Sequence, residues 1–321
     1  DPVTPAEPQD PPSFADEDED AEATLCSEGQ VRPPINKRLT PTRQLGWRPG
    51  QQIGGQRIVD KLGKGSSGAV YLVEDPLSKE LRALKAIPAP DEETRRRFAR
   101  EVDCQIGTGA HPNVAECYGA GEWQGNVFLV AEFLPGGSLR ERLHKDGPLE
   151  PTQAAEIVAA LADGLQAVHA TGILHRDLKP ANVMFDEEGV PKLVDFGLAS
   201  ASGDSTSSGD DMLGTPAFMA PEQTRTAQAP LSVQTDVYGL GGVLYSALTG
   251  HLPYATSSLM DLLLEIAACD PIPPSERAPD QGIHPALDAI VSRAMARRPA
   301  DRYASAAELA VALREFLESS R

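Results

Sequence analysis

Apolar and polar residues alternate in the part of the chain that follows residue 56, which is the period of half-buried β-strands. The pattern predicts strands at 57–62, 69–73, 81–87 and 127–133, joined by glycine-rich or proline-containing turns. Between the third and fourth strands, Phe98, Val102 and Ile106 recur at four-residue spacing and predict a helix from residue 92 to about residue 107.

Beyond residue 135 the apolar spacing becomes helical. It predicts helices at 151–169, 233–248, 258–268, 285–296 and 304–317. A strand-rich first part followed by a helix-rich second part indicates an α+β fold of two lobes. The cleft between two such lobes is a natural place for a ligand.

Residues 1–50 lack this periodicity and contain many prolines. The first thirty carry ten acidic residues and no Lys or Arg, whereas residues 31–50 carry five basic residues and no acid. Such a segment buries too little apolar surface to offset the entropy of ordering, so we expect a disordered tail, acidic and then basic. A docking tail, or an arm phosphorylated at a site such as Thr40, is the alternative.

Charge and cysteine content narrow the class of protein. The formal net charge is −18, which argues against nucleic-acid binding because phosphate backbones need a positive surface. The four cysteines form no C-x-x-C pair and are expected to be free thiols. The sequence contains no apolar run long enough to predict a membrane segment and no basic leader that would predict a signal peptide. We therefore expect a cytoplasmic location. The chain starts at Asp1, and we expect it to be a piece of a longer protein, which leaves open an anchor outside it.

Three glycines, Gly63, Gly65 and Gly68, have the G-x-G-x-x-G spacing that lets backbone N–H groups approach a phosphate. The same spacing also opens dinucleotide-binding folds. A strand is predicted directly after Gly68, where a dinucleotide-binding fold needs a helix. The context therefore disfavours a dinucleotide site.

Lys85 is predicted to lie on a strand with Ala83 on the same face. A small residue beside a lysine leaves room for a flat base and brings a cation to its phosphates. Glu101, on the predicted helix, is a candidate ionic partner of Lys85. The plain alternatives are a solvated lysine and an exposed helix glutamate.

Four motifs then follow in order. They are His-Arg-Asp-Leu-Lys-Pro-Ala-Asn at 175–182, Asp-Phe-Gly at 195–197, Gly-Thr-Pro at 214–216 and Ala-Pro-Glu at 220–222. Together they resemble the eukaryotic-like serine/threonine protein kinase family, particularly its bacterial members. The resemblance implies a two-lobed kinase domain at 57–316. Its smaller, mainly β N-lobe would cover about 57–134, its larger, mainly α C-lobe about 135–316, and the ATP site would lie between them.

The resemblance also implies catalytic roles. Asp177 would orient the substrate hydroxyl and accept its proton, and Lys179 would balance charge on the γ-phosphate. Lys85 would hold the α- and β-phosphates, with Glu101 fixing its direction. Asn182 and Asp195 would bind Mg²⁺, for which Mn²⁺ is a substitute, because hard cations prefer oxygen ligands.

The implied ATP-binding residues come from the glycine-rich strand pair, the Lys85 strand, the segment that joins the lobes, and one position in the C-lobe. They are Leu62, Gly63, Lys64, Gly65, Ser66, Ser67, Gly68, Ala69, Val70, Ala83, Lys85, Ala131, Glu132, Leu134 and Met184.

Two positions depart from the family. Ala131 stands at the back of the adenine pocket, where a bulkier residue is usual, so we expect adenine analogues with large substituents to bind. Gln105 stands where an apolar residue usually packs behind the helix. Either the helix register is shifted and Ile106 takes that place, or the helix is less firmly docked.

Regulatory and structural roles follow from the same resemblance. Arg176 would pair with a phosphate on the activation segment, which lies between the Asp-Phe-Gly and Ala-Pro-Glu motifs. We expect autophosphorylation at one or more of the four residues 205–208 there, with a flexible linker as the alternative. The regulatory candidates are Arg176, Ser205, Thr206, Ser207, Ser208 and Thr215. The residues with implied structural roles are His175, Phe196, Gly197, Glu222, Asp236 and Arg302.

The expected activity is phosphorylation of Ser or Thr hydroxyls on proteins. Lys179 and the Gly-Thr pair at 214–215 resemble Ser/Thr kinases, and the Ala-Pro-Glu segment disfavours a small-molecule kinase. The expected partners are protein substrates and, for autophosphorylation, a second copy of the chain. A pseudokinase that binds nucleotide without efficient transfer is the competing hypothesis, although Lys85, Asp177 and Asp195 are all present.

Overall fold

The computed structural model describes residues 24–25, 31–32, 46–65, 68–89, 91–107, 109–196, 216–224, 230–254, 256 and 258–320. Within these ranges some side chains, including those of Glu101 and Gln105, lie outside the description. No helix in the described ranges is both long enough and apolar enough to cross a membrane.

The N-lobe is built on one antiparallel sheet of six strands. In chain order the described strands are β1 (Thr24–Leu25), β2 (Val31–Arg32), β3 (Gln52–Ile53), β4 (Gln56–Gly65), β5 (Gly68–Glu74), β6 (Leu81–Pro88), β7 (Cys117–Trp123) and β8 (Asn126–Glu132). The short strands β1 and β2 pair only with each other, and the six-stranded sheet has the order β3-β4-β5-β6-β8-β7.

Two apolar clusters occupy the two faces of this sheet. On one face, helix α1 (Glu92–Gly107) packs Phe98 and Val102 against Val127 and Leu129 of β8. The other face buries side chains of β4, β5, β6 and β8, among them Tyr71. The four predicted strands and the predicted helix are confirmed within a few residues.

Trp47 joins the second cluster, where it is 7% exposed with its ring centroid 5.3 Å from that of Tyr71. The expectation of disorder up to residue 50 is therefore wrong at this position. A single tryptophan in a proline-rich, charged stretch produces no periodicity, so the sequence pattern missed an anchor made by one large side chain.

The C-lobe is mainly helical. Its helices are α2 (Leu139–Asp146), α3 (Pro151–Ala170), α4 (Val233–Thr249), α5 (Leu259–Ala268), α6 (Pro274–Arg277), α7 (Pro285–Ala294) and α8 (Ala306–Ser319). A two-stranded ribbon, β9 (Val183–Phe185) and β10 (Pro191–Leu193), lies between α3 and α4 in the chain.

Helix α4 forms the centre of the C-lobe core and is buried along nearly its whole length. Two of its glycines are required by close packing. A Cβ at Gly239 would lie 2.8 Å from the Cβ of Leu178, and one at Gly241 would lie 2.8 Å from the Cγ of Met295. Because Leu178 belongs to the 175–182 motif, this packing fixes the motif against the core.

Candidate active site

Lys85 on β6 reaches the C-lobe, where its Nζ lies 2.7 Å from Oδ1 of Asp195. Alternate residues of a strand share a face, and so do residues directly opposite on antiparallel strands. Ala83 therefore lies on the same face as Lys85, as do Ala131, opposite Ala83, and Val70, opposite Lys85. The contact with Asp195 shows that this face points towards the helical lobe.

Ala69 is on the other face. It is 1% exposed and belongs to the apolar cluster that includes Tyr71 and Leu84. The prediction that Ala69 lines the ATP site is therefore wrong for its side chain. The physical reason is the two-residue period of the strand, which turns Ala69 away when Val70 faces the helical lobe.

The glycine-rich turn lies between β4 and β5. A Cβ at Gly68 would lie 2.0 Å from the carbonyl oxygen of Ala86, so close strand approach requires glycine there. A Cβ at Gly63 would meet nothing within 4 Å, and Leu62 beside it is 46% exposed. Lys64 and Gly65 complete β4, and Ser66 and Ser67 lie outside the described residues.

The Asp177 carboxylate is held by two side chains of its own loop. Lys179 Nζ lies 2.9 Å from Oδ2 and 3.1 Å from Oδ1 of Asp177. Asn182 Nδ2 donates to the Asp177 backbone carbonyl at 2.8 Å and to Oδ2 at 3.0 Å. The short helical turn Pro180–Asn182 brings Asn182 back towards Asp177. The structure thus brings together three residues that the sequence predicted to act as one site.

Asp236 fixes the backbone before Asp177. Its buried carboxylate accepts hydrogen bonds from the N–H of His175 and of Arg176, each at 2.7 Å, and contacts His169 Nε2 at 2.8 Å. Arg176 has φ 65°, a left-handed conformation that costs a non-glycine residue energy and persists only when its surroundings hold it.

His175 is fully buried, and its ring lies against Phe196 with the centroids 4.8 Å apart. Burial lowers the pKa of His175 below its ordinary value despite the opposing charges of Asp236 and Asp177, so the ring is neutral at pH 7. In the tautomer that satisfies both nitrogens, Nε2–H donates to the Val194 carbonyl at 3.0 Å and Nδ1 accepts the Asp177 N–H at 3.4 Å.

Asp195 also has a left-handed backbone, with φ 62°. Burial would raise the pKa of its carboxyl, but the charge and hydrogen bond of Lys85 outweigh burial and hold that pKa below its ordinary value. Asp195 is therefore ionised at neutral pH.

Asn182 and Asp195 offer oxygen donors that fit a hard divalent cation. Both Asn182 bonds described above use its nitrogen, and among the described residues nothing donates to its Oδ1. The described residues hold no cluster of three or more His, Cys, Asp or Glu suited to a metal. Two protein ligands suit Mg²⁺, which usually completes its shell with phosphate oxygens and water.

The remaining predicted ATP-binding residues lie on the segment that joins the lobes and on β9 of the C-lobe. Glu132 Oε1 pairs with Lys192 Nζ of β10 at 2.7 Å, and both side chains are largely buried. Leu134 is 4% exposed, and Met184 of β9 forms an isolated bridge with Ser138. The sequence did not predict the ion pair between Glu132 and Lys192, because opposite charges sixty residues apart leave no local pattern.

Several predicted residues lie partly or wholly outside the described residues. The Glu101 side chain is not described, although its backbone belongs to α1. Ile106 packs against the apolar cluster that contains Phe98 and Val102, and the side chain of Gln105 lies outside the described residues. Gly197, Ser205, Thr206, Ser207, Ser208 and Thr215 lie outside the described residues.

The predicted structural pair of Glu222 and Arg302 is present. The guanidinium donates to both carboxylate oxygens at 2.6 and 2.8 Å, and the two side chains are 1% and 0% exposed. Arg302 also donates to three backbone carbonyls, and Thr235 donates to Glu222 at 2.8 Å. The hydrogen bonds and charge of Arg302 hold the Glu222 pKa below its ordinary value against the raising effect of burial.

A sheet lobe and a helical lobe that place a lysine, two aspartates and an asparagine at their junction are typical of the protein kinase class. Comparison with known families supports the same class. Residues 57–312 match the family model described as the protein kinase domain. The chain belongs to the protein kinase family and has its two-lobed fold.

Individual relatives are bacterial serine/threonine-protein kinases. The chain is 38% identical over 259 residues to serine/threonine-protein kinase PknB of Mycobacterium leprae, covering 78% of this chain and 41% of the relative. It is 36% identical over 277 residues to serine/threonine-protein kinase PknD of Mycobacterium tuberculosis, covering 84% of this chain and 41% of the relative. The chain thus spans about two fifths of the length of these relatives.

Proposed function

We propose that this chain transfers the γ-phosphoryl group of ATP to Ser or Thr hydroxyls of proteins. The observation that carries the proposal is the Asp177 carboxylate, held by Lys179 and Asn182 on a loop that Asp236 braces. A fixed carboxylate beside a cation is what in-line phosphoryl transfer requires of a protein.

Each residue has a stated part in the reaction. Asp177 accepts the proton of the substrate hydroxyl while the oxygen of that hydroxyl forms a bond to the γ-phosphorus. The bond between the γ-phosphorus and the β–γ bridging oxygen breaks, and ADP is released. Lys179 balances negative charge on the transferred group, and Lys85 holds the α- and β-phosphates. When bound by Asn182 and Asp195, Mg²⁺ would neutralise phosphate charge.

Replacing Asp177 by Asn tests the proposal against the pseudokinase alternative. The amide keeps the shape of the side chain but cannot accept the proton. We expect phosphate transfer to a mixed peptide library to fall at least about 100-fold, with nucleotide affinity changed little. Wild-type protein that binds ATP but transfers no phosphate to any peptide would establish the pseudokinase reading.

The regulation that we propose is autophosphorylation on the activation segment between two copies of the chain in the cytoplasm. Arg176 supports it, because this exposed arginine directly precedes Asp177 and suits a phosphate partner. The candidate sites are Ser205, Thr206, Ser207 and Ser208. Phosphosite mapping after incubation with Mg-ATP tests this, and fully active enzyme with these four sites empty would contradict it.

A further inference from the structure

Gln223 directly follows the Ala-Pro-Glu motif and touches the loop that carries Asp177. Its Nε2 donates to the backbone carbonyl of Arg176 at 2.7 Å. Its Oε1 accepts the N–H of Ala220 at 2.9 Å. The two bonds fix the orientation of the amide, since a flip would place two oxygens together and two N–H groups together.

The carbonyl that Gln223 binds belongs to the peptide between Arg176 and Asp177. On the other side of Arg176, its N–H is held by Asp236 at 2.7 Å. Arg176 is the left-handed residue of this loop, so a strained conformation is held at both ends by side chains from elsewhere in the chain. The plane of the Arg176–Asp177 peptide determines the position of the Asp177 Cα and therefore the direction of its side chain.

Gln223 is itself firmly placed. It ends the short helical turn Pro221–Gln223, whose middle residue, Glu222, is held by the buried pair with Arg302. The amide therefore joins a rigid part of the C-lobe to the strained residue before Asp177.

We propose that Gln223 is a positioning residue for phosphoryl transfer, acting on Asp177 through the hydrogen bond to the Arg176 carbonyl. This inference rests on the proposed kinase activity. It assigns the end of the activation segment a direct part in orienting the residue that accepts the proton.

The test is Gln223→Glu, a change of nearly identical shape. One carboxylate oxygen still accepts the Ala220 N–H, but the other faces the Arg176 carbonyl and cannot donate. At pH 8 we expect kcat to fall at least about tenfold with the KM for ATP within about twofold of wild type. Protonation of the introduced carboxyl restores a donor, so the ratio of variant to wild-type kcat should rise as the pH is lowered from 8 to 5.5.

The ionisable groups around this peptide, namely Asp177, His175, Asp236 and Glu222, are unchanged in the variant, so the ratio to wild type isolates the effect of residue 223. The apolar variant Gln223→Met should lose kcat equally at every pH, because it cannot regain a donor. Gln234→Glu is the matched control. Gln234 also donates its amide to a backbone carbonyl, that of Ala304 at 3.2 Å, but on a different part of the C-lobe. The ratio of kcat in Gln234→Glu to kcat in wild type should stay near one at every pH.

The outcomes separate the inference from the proposed function. Suppose that wild type transfers phosphate. A normal kcat in Gln223→Met, or a ratio of Gln223→Glu to wild-type kcat that does not change with pH, would then overturn the positioning role while the kinase activity stands. No transfer by wild type would remove the proposed function itself. If Gln223→Glu fails to fold by circular dichroism, the split between kcat and KM in Gln223→Met decides the matter.

Discussion

Ala131 has small neighbours on both sides across the sheet. Ala83 lies opposite it on β6 and Cys117 lies opposite it on β7. Because Ala83 and Ala131 share the face of Lys85, a row of small side chains borders the place predicted for the adenine.

This row leads to a prediction about ligand size. An ATP analogue with a benzyl group on the adenine N6 should act as a substrate with a KM within about tenfold of that for ATP. Ala131→Met restores bulk and should raise the KM for the analogue at least about tenfold while changing the KM for ATP little. Equal use of the analogue by both proteins, measured as transfer to peptide, would contradict this placement of Ala131.

His175 gives a prediction about acid stability. Its pKa is lowered in the folded protein, whereas the unfolded chain has an ordinary value near about 6.5. Below that pH the unfolded state takes up a proton that the folded state does not, so stability is lost as pH falls from about 6.5 towards the folded pKa.

Urea unfolding at pH 7 and pH 5.5 measures this loss. Between pH 7 and pH 5.5 the free energy of unfolding should fall more for wild type than for His175→Gln, by up to about 1.4 kcal/mol per pH unit. The control His144→Gln removes an exposed histidine of α2 and should keep the wild-type dependence. Asp195 and Glu222 have lowered pKa values, so their contributions are lost only in more acidic solution. Identical pH dependence in all three proteins would show that His175 is not the group responsible.

At the scale of elements, one buried ion pair ties helix α1 to the sheet. Arg95 Nε lies 3.1 Å from Glu122 Oε2 on β7, and the side chains are 7% and 9% exposed. Removing one partner of such a pair leaves an uncompensated buried charge, which is costly, whereas removing both is often nearly neutral.

Arg95→Met should therefore lower the free energy of unfolding by about 3–5 kcal/mol. The double variant with Glu122→Met should recover most of that loss. Arg96→Met is the matched control, because Arg96 pairs with Glu92 on the exposed side of the same helix and should cost less than about 1 kcal/mol. Urea denaturation gives all four values, and a double variant no more stable than Arg95→Met would refute the buried-charge argument.

The sequence predicted elements well where side chains alternate or recur regularly, and poorly elsewhere. Strand β7 was missed because Gly119 and Gly121 interrupt its alternation. Helix α2 was missed because charged residues fill it, although Ser138 and Glu141 form a capping box at its start.

The site was predictable where the chemistry depends on residue type and was not where it depends on geometry. Asp177, Lys179 and Asn182 stand close together in sequence and meet in space. Gln223 is 47 residues from the carbonyl that it binds, and a lone glutamine carries no motif. Such contacts need the fold before they can be found.

At the scale of the whole molecule, Arg302 holds the end of the activation segment to the C-lobe core. The two terminal nitrogens of its guanidinium group donate to Glu222, and the remaining N–H groups donate to backbone carbonyls. Every N–H of the guanidinium therefore has a partner. No other side chain can satisfy the same set.

Arg302→Ala should destabilise the C-lobe by about 3–5 kcal/mol, because Glu222 would be left buried without its counter-charge. Arg298→Ala removes an arginine that is 80% exposed and paired with Asp301, and should cost less than about 1 kcal/mol. Thermal unfolding followed by far-ultraviolet circular dichroism compares them. Equal midpoints for the two variants would contradict the structural role of Arg302.

The anchor at Trp47 has a consequence for how unfolding can be observed. The chain has two tryptophans, Trp47 at 7% exposure and Trp123 at 38%, and both belong to the sheet lobe. Their fluorescence emission therefore reports on that lobe alone, while circular dichroism is dominated by the helices of the other. A red shift in emission that precedes the loss of helical signal would reveal the two lobes melting separately, with no label added.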